Sequence, residues 1–381
     1  MNPLLQCKTL GQSIWLDYIR RSLLQSGELA RLLAEDGISG VTSNPAIFEK
    51  AIGGSDDYDA ALAAAIGAGE RDPQRLFEQL AIADIRAAAD VLSPVYRETH
   101  GADGYVSLEV SPRLAMDEDA TVREAQRLWQ AVQRPNLMIK VPGTPAGIAA
   151  LRRLTAQGIN VNVTLLFARA AYRAVAQAYI DGLEDHAAQG GDPSRVASVA
   201  SFFVSRIDTA LDAEIERRAE STPEDAAALR ALAGRIAIAN AKLAYQDARQ
   251  IYAQPRWGAL AARGAGPQRL LWASTGTKNP AYSDVLYVEA LIGPGTVNTL
   301  PPATLDAFRD HGRARVTLTE DVDQAQAVFA ELARLRLPLD ALTERLVEDG
   351  IRLFADAEQK LLAAVAAKRD ALLQRAGSRG E

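Results

Sequence analysis

Eight short apolar or β-branched runs alternate with helical stretches along this chain, and that alternation constrains the fold more than any other feature. The runs fall at residues 13–16, 38–41, 105–108, 137–139, 159–161, 196–200, 270–273 and 296–297. Strands separated by helices pair in parallel, because each helical crossover returns the chain to the same end of the sheet. Eight is the strand number of a (β/α)8 barrel. The predicted fold class is therefore α/β, a TIM barrel with additional N-terminal, inserted and C-terminal helices. A barrel of about 250 residues plus those helices accounts for the full length as one domain over residues 1–381.

Helical periodicity predicts helices over 20–33, 121–133, 146–156, 168–187, 205–218 and 223–253. Two more, over 57–65 and 73–92, fill the long connection before the third strand, with Pro73 suited to an opening turn. After the eighth strand, residues 321–337 and 339–374 read as helices separated by Pro338. One helix of this extra region, at about 321–375, completes the barrel, and the remainder fits either packing outside the barrel or across one end of it, or an oligomer contact. The tail 377–381 is expected to fray.

Nearly every predicted strand ends in a polar side chain: Asp17, Thr42 with Asn44, Glu109, Lys140, Asn162 with Thr164, Ser201, Ser274 and Asn298. Strand C-termini converge on one face of a barrel, the face that carries active sites in this architecture. One lysine, two carboxylates and several hydroxyl and amide groups are thus expected around a single cavity. Lys140 ends the run Leu137-Met138-Ile139-Lys140-Val141, where its ammonium ion would lose hydration that a surface lysine keeps. Desolvation favours the free amine, which is the nucleophile that Schiff-base chemistry with carbonyls requires. Taken alone, such a lysine more often snorkels to water, each carboxylate serves equally well as a barrel-top salt bridge, and Arg206 is more often a solvated helix residue. Their coincidence at different strand ends favours shared catalysis.

Other chemistries fit poorly. The three histidines, His100, His186 and His311, have no metal-ligand spacing, so neither a metal nor a zinc-dependent aldolase mechanism is expected. No Gly-x-Gly-x-x-Gly follows a strand and no Walker loop is present, so no nucleotide cofactor is expected. Ser274-Thr275-Gly276-Thr277-Lys278 serves equally well as a phosphate cradle or as an ordinary loop. A net charge of −6 offers no general attraction to nucleic acid or anionic membrane, so an anionic substrate needs local cations. Cys7 is the only cysteine, which excludes an intrachain disulfide. No run approaches the roughly 18 apolar residues of a membrane span, and the first residues lack signal-peptide character, so a cytoplasmic location is expected.

Six segments in order resemble the transaldolase family: Ser13-Ile14-Trp15-Leu16-Asp17, Gly40-Val41-Thr42-Ser43-Asn44-Pro45, Val106-Ser107-Leu108-Glu109-Val110, Met138-Ile139-Lys140-Val141-Pro142, the stretch 158–167 with Asn162 and Thr164, and Ala200-Ser201-Phe202-Phe203-Val204-Ser205-Arg206. A later stretch from Ala273 to Glu289 is similar to the longer bacterial branch of that family. The resemblance implies an enzyme of the pentose phosphate pathway that takes sugar phosphates as its small-molecule partners. It implies transfer of a dihydroxyacetone unit between sedoheptulose 7-phosphate or fructose 6-phosphate and glyceraldehyde 3-phosphate or erythrose 4-phosphate. Lys140 matches the Schiff-base lysine, Glu109 the carboxylate that works through a water held with Thr164, and Asp17 the base for the C4 hydroxyl. Asn44 and Asn162, with Ser201 and Thr42 nearby, match groups that hold the dihydroxyacetone hydroxyls. Arg206 matches a phosphate-binding arginine.

The chain departs from the family at Ser274-Thr275-Gly276, where a second arginine is expected and glycine stands instead. Lys278 is the candidate replacement, with Ser274 beside it. Two other readings use related residues: an aldolase that releases free dihydroxyacetone, and a non-catalytic sugar-phosphate-binding barrel.

Overall fold

A computed structural model describes residues 2–377, with side chains up to residue 375. Eight parallel strands close in chain order: β1 Gln12–Leu16, β2 Ile38–Val41, β3 Tyr105–Glu109, β4 Leu137–Pro142, β5 Val161–Leu166, β6 Ser198–Phe203, β7 Arg269–Ala273 and β8 Thr296–Leu300, with β8 pairing back onto β1. The predicted barrel is therefore the observed one. Burial explains why the apolar runs form it, since Val106, Ile139, Val141, Val161 and Val163 are sealed between sheet and helices.

Register does the positioning. Glu109 pairs with Lys140 across β3 and β4, and Lys140 pairs with Asn162 across β4 and β5. Because successive strand residues face opposite ways, Ser107 and Glu109 share one face of β3, and Asn162 and Thr164 share one face of β5. The polar contacts among these residues mark that face as the barrel interior.

Strand bounds differ from the sequence reading most at four strands, of which β4 runs on to Pro142 rather than ending at residue 139. β5 begins at Val161 and runs to Leu166 rather than covering 159–161; β6 begins at Ser198; and β8 extends to Leu300. Asn162, Thr164 and Ser201 look like strand ends in sequence, yet they sit within strands because the upper barrel interior is polar; Asn298 also lies within its strand, but its neighbour Thr299 is the residue that faces the interior. A register shift lies between Val163 and Leu166, and Leu165 takes φ 60°, a conformation that costs a non-glycine residue about 1 kcal/mol or more. This bulge directly follows Thr164.

The helices also differ. Gly27 (φ 78°) breaks the predicted 20–33 helix into Arg21–Gln25 and Glu28–Asp36, and a helix Pro45–Gly53 adds to Asp59–Gly67 and Pro73–Glu98 before β3. The predicted 223–253 helix is two, Ala226–Arg230 and Ile236–Tyr252. After β8 come Pro302–His311, which the periodicity did not reveal, then Val322–Arg334 and the 39-residue Leu339–Gly377. The expected frayed tail lies beyond it, and residues 378–381 fall outside the described residues.

That last helix packs against the 45–53 and 73–98 helices and reaches the C-terminal end of β5. Gly350 permits the approach, because a Cβ there would lie 2.7 Å from Leu165 Cδ2. Lys368 fixes the far end by donating to Ser55 O at 2.8 Å and Asp59 Oδ1 at 2.6 Å.

The helix Ser205–Ser221 follows β6 and buries Asp208, whose carboxylate accepts from Ala237 N at 2.8 Å and Tyr287 OH at 3.0 Å. Burial, reinforced by the charge of Asp212, pushes Asp208 up to about 7. The folded chain therefore keeps a proton that the unfolded chain releases above 3.8. The resulting stability is complete below that value, erodes as pH rises, and is gone once pH has passed through about 7. Urea midpoints measured from pH 5 to pH 8 should fall more steeply for the native chain than for Asp208→Asn, which cannot ionise. Parallel slopes would show that Asp208 does not titrate in this window.

Candidate active site

The C-terminal ends of the strands surround a cavity of about 610 Å3 walled by Asp17, Thr42, Asn44, Lys140, Thr164, Ser201, Arg206, Ser274 and Lys278, among others. Nine of the residues expected from sequence thus share one chamber. Glu109 and Asn162 are not in its wall but lie directly behind Lys140 and Ser201.

Lys140 Nζ lies 3.3 Å from Glu109 Oε2, with side-chain exposures of 6% and 5%, so this is an ion pair withdrawn from solvent. Nζ donates to Ser43 O at 3.2 Å. The Phe354 ring, carried by the C-terminal helix, stands 5.7 Å from it. The amine therefore sits in a polar socket with one aromatic wall, where sequence alone suggested mainly apolar surroundings. Glu109 Oε2 is close to the amine without hydrogen-bond alignment, and it and Thr164 Oγ1 are both buried without a hydrogen-bond partner in the protein.

Asp17 approaches from β1. Its Oδ1 accepts from Thr42 Oγ1 at 2.7 Å, and Thr42 is itself 2.7 Å from Thr299 Oγ1. Burial pushes the Asp17 carboxyl up, while the charges of Lys140, Arg206 and Lys278 and the Thr42 hydrogen bond oppose the shift. Burial likewise raises Glu109, with Lys140 opposing and the charges of Asp17 and Glu358 adding to the rise. The cavity thus holds two carboxyls whose proton affinity exceeds that of a solvated acid.

The amides are less free than their sequence positions suggest. Asn162 donates through Nδ2 to Ser107 Oγ at 3.0 Å and accepts from Ser201 Oγ at 2.7 Å. Asn44 Oδ1 caps the 45–53 helix by accepting from Ile47 N at 3.0 Å, leaving Nδ2 as its donor toward the cavity.

At the other end of the chamber, the Arg206 guanidinium lies 5.1 Å from the Phe203 ring centroid, and burial lowers its proton affinity while Asp17 raises it. Ser274 takes φ 55° where β7 ends, and its hydroxyl is 3.0 Å from Ser205 Oγ, tying the loop after β7 to the helix that carries Arg206. Lys278 follows on that loop with an exposed side chain. Arg206 and Lys278 make no ion pair among the described residues. Sequence reasoning did not find three further wall residues: Tyr18, Lys50 and Phe354. Lys50 belongs to a helix the periodicity did not reveal, and nothing local in sequence connects residue 354 to residue 140.

A buried lysine flanked by two carboxyls at the C-terminal mouth of a (β/α)8 barrel defines the class of enzymes that act on carbonyl substrates through an amine. The family model described as "Transaldolase/Fructose-6-phosphate aldolase" matches residues 14–365, and the chain belongs to that family. It is 52% identical over 365 residues to the transaldolase of Thiobacillus denitrificans, covering 96% of this chain and 100% of that protein. It is 49% identical over 357 residues to the transaldolase of Trichodesmium erythraeum (93% and 94% covered) and 50% identical over 363 residues to that of Neisseria gonorrhoeae (95% and 99%).

The Ser107–Asn162–Ser201 chain of hydrogen bonds is buried, so its removal has a readable cost. Asn162→Ala leaves two hydroxyls unpaired and should lower stability by roughly 1–3 kcal/mol, measured by urea denaturation. A loss below about 0.5 kcal/mol, the range of neutral surface substitutions, would show that the network adds no stability.

Proposed function

We propose that this chain is a transaldolase acting on sugar phosphates in the pentose phosphate pathway, moving a dihydroxyacetone unit from sedoheptulose 7-phosphate or fructose 6-phosphate to glyceraldehyde 3-phosphate or erythrose 4-phosphate. The observation that carries this reading is Lys140, buried and held in register beside Glu109, with Asp17 in the same chamber. Family membership at about half identity to proteins of that name supports it. A cytoplasmic setting belongs to the same reading; among the described residues no helix is long and apolar enough to cross a membrane.

In this reading Lys140 attacks the C2 carbonyl of the ketose, and Glu109, 3.3 Å from Nζ, is placed to accept the proton that the nitrogen releases. A water held between Glu109 and Thr164 then carries a proton to the carbinolamine oxygen, which leaves as water and yields the iminium. Asp17 takes the C4 hydroxyl proton while the iminium draws the C3–C4 electrons, so the aldose departs and the three-carbon unit stays on Lys140. An incoming aldose reverses these steps. Asn44 and Asn162, with Thr42 and Ser201, orient the dihydroxyacetone hydroxyls. Arg206 holds the phosphate through its planar fork, with Ser274 and Lys278 as the second contact.

Fructose 6-phosphate with and without erythrose 4-phosphate separates the alternatives. Transfer only in the presence of acceptor is expected; free dihydroxyacetone in its absence would identify an aldolase, and no turnover would identify a binding barrel. Borohydride added with fructose 6-phosphate should fix the sugar unit on Lys140, and mapping of the adduct to another lysine would sink the assignment.

The phosphate end gives a graded outcome. Arg206→Ala should weaken transition-state binding of phosphorylated donors by roughly 2–3 kcal/mol, and Lys278→Ala should cost less while still raising KM for fructose 6-phosphate. Steady-state kinetics on both variants measure this, and an untouched KM in Lys278→Ala would move the second contact to the backbone of residues 274–277.

A further inference from the structure

We infer that Lys50 is a phosphate-contacting, specificity-determining residue that, with Lys278, supplies the positive charge missing at Gly276. The inference rests on the transaldolase reading and extends it to a residue outside the motifs that carry the resemblance.

Gly276 first shows why the charge must come from elsewhere. A Cβ at that position would meet Thr304 Oγ1 at 2.9 Å, so the loop is packed against the 302–311 helix where a long side chain would have to leave. A side chain restored in place would have to displace the Thr304 hydroxyl.

The cavity wall contains the replacement. The chain has seven lysines among its 42 Lys and Arg residues, and three of them, Lys50, Lys140 and Lys278, wall this one cavity together with a single arginine, Arg206. Elsewhere this protein uses arginine for its ion pairs almost without exception. Lysine is retained here, where a chemically distinct cation is useful. Lys140 is needed as an amine. Lys50 and Lys278 are exposed and make no ion pair among the described residues, although the charge of Lys278 reaches Asp17 across the chamber.

Geometry gives the two lysines different supports. Lys278 rides the loop after β7, whereas Lys50 lies in the last turn of the rigid 45–53 helix, whose N-terminus is fixed by the Asn44 cap. Six- and seven-carbon donors, held at C2 by the same lysine, place their phosphates at different distances from it. A fixed guanidinium fork suits one position, while point charges on flexible four-carbon stems follow both. In a chain of net charge −6 these unpaired cations also draw dianions to the mouth.

The test compares Lys50→Gln and Lys50→Arg with the native enzyme. Lys50→Gln should raise KM for fructose 6-phosphate and erythrose 4-phosphate by about three- to tenfold with kcat nearly unchanged. It should weaken competitive inhibition by inorganic phosphate in parallel and flatten the salt dependence of kcat/KM. With donor saturating, the KM for unphosphorylated glyceraldehyde as acceptor should not change, and Lys50→Arg should restore most of the loss. Unchanged KM and phosphate inhibition in Lys50→Gln would overturn the inference, as would an equal loss with phosphorylated and unphosphorylated acceptors. If the native chain shows no transfer, the functional reading fails separately, and calorimetric binding of inorganic phosphate to the native and Lys50→Gln chains still decides the role of Lys50.

Discussion

The ion pair between Lys140 and Glu109 is the interaction on which the rest of this structure depends. Withdrawing an ammonium and a carboxylate from water costs several kcal/mol per ion, and their attraction offsets this only when geometry and further polar contacts are good. A closed barrel meets that condition because adjacent strands set the pair in register, Glu109 opposite Lys140, before any side chain rotates. A one-residue slip between β3 and β4 would turn one partner outward. The apolar residues that alternate with them on the outer face hold that register, so catalytic geometry and core packing are two faces of the same strands.

What surrounds the pair is costly in isolation and makes sense only around it. Leu165 and Ser274 hold left-handed backbone, one just after Thr164 and one where β7 enters the loop bearing Lys278. The C-terminal helix brings Phe354 over the amine and buries Glu358 beside Ser111 and Arg113, with Glu358 Oε2 3.0 Å from Ser111 Oγ. That helix is therefore part of the chamber wall, and its packing on the 45–53 helix ties the wall to the segment bearing Asn44 and Lys50.

The barrel was legible in sequence because strand-length apolar runs alternating with helices admit few other architectures. Lys140, Glu109 and Asp17 were legible because charged groups at the ends of buried runs are conspicuous. The lower edge of β5 and the extent of β6 were not, since Asn162 and Ser201 read as strand termini unless one knows that the interior they enter is polar. The 45–53 helix escaped because Asn44 and Pro45, its cap and first residue, read only as part of a site motif. Phe354 carries no local signal at all; its role arises from a tertiary contact between residues more than two hundred positions apart.

The two carboxyls show how one arrangement can serve successive proton transfers. Burial raises both Asp17 and Glu109, and for both the largest opposing influence is the charge of Lys140. In the proposed mechanism, once the lysine gives up its proton to become a nucleophile that opposition disappears, and Glu109 gains proton affinity as it takes the proton from the nitrogen. As the iminium forms in that mechanism, positive charge returns to the same nitrogen, so Glu109 releases its proton more readily toward the departing oxygen while Asp17 is favoured as the carboxylate that takes the C4 hydroxyl proton. The groups act as a coupled set, so the proton affinity of each carboxyl follows the covalent state of the nitrogen without movement of the backbone. A lysine buried farther from its carboxylates would keep its nucleophilicity and lose this timing, which is a physical reason for placing Glu109 and Lys140 on adjacent strands rather than on opposite walls of the barrel.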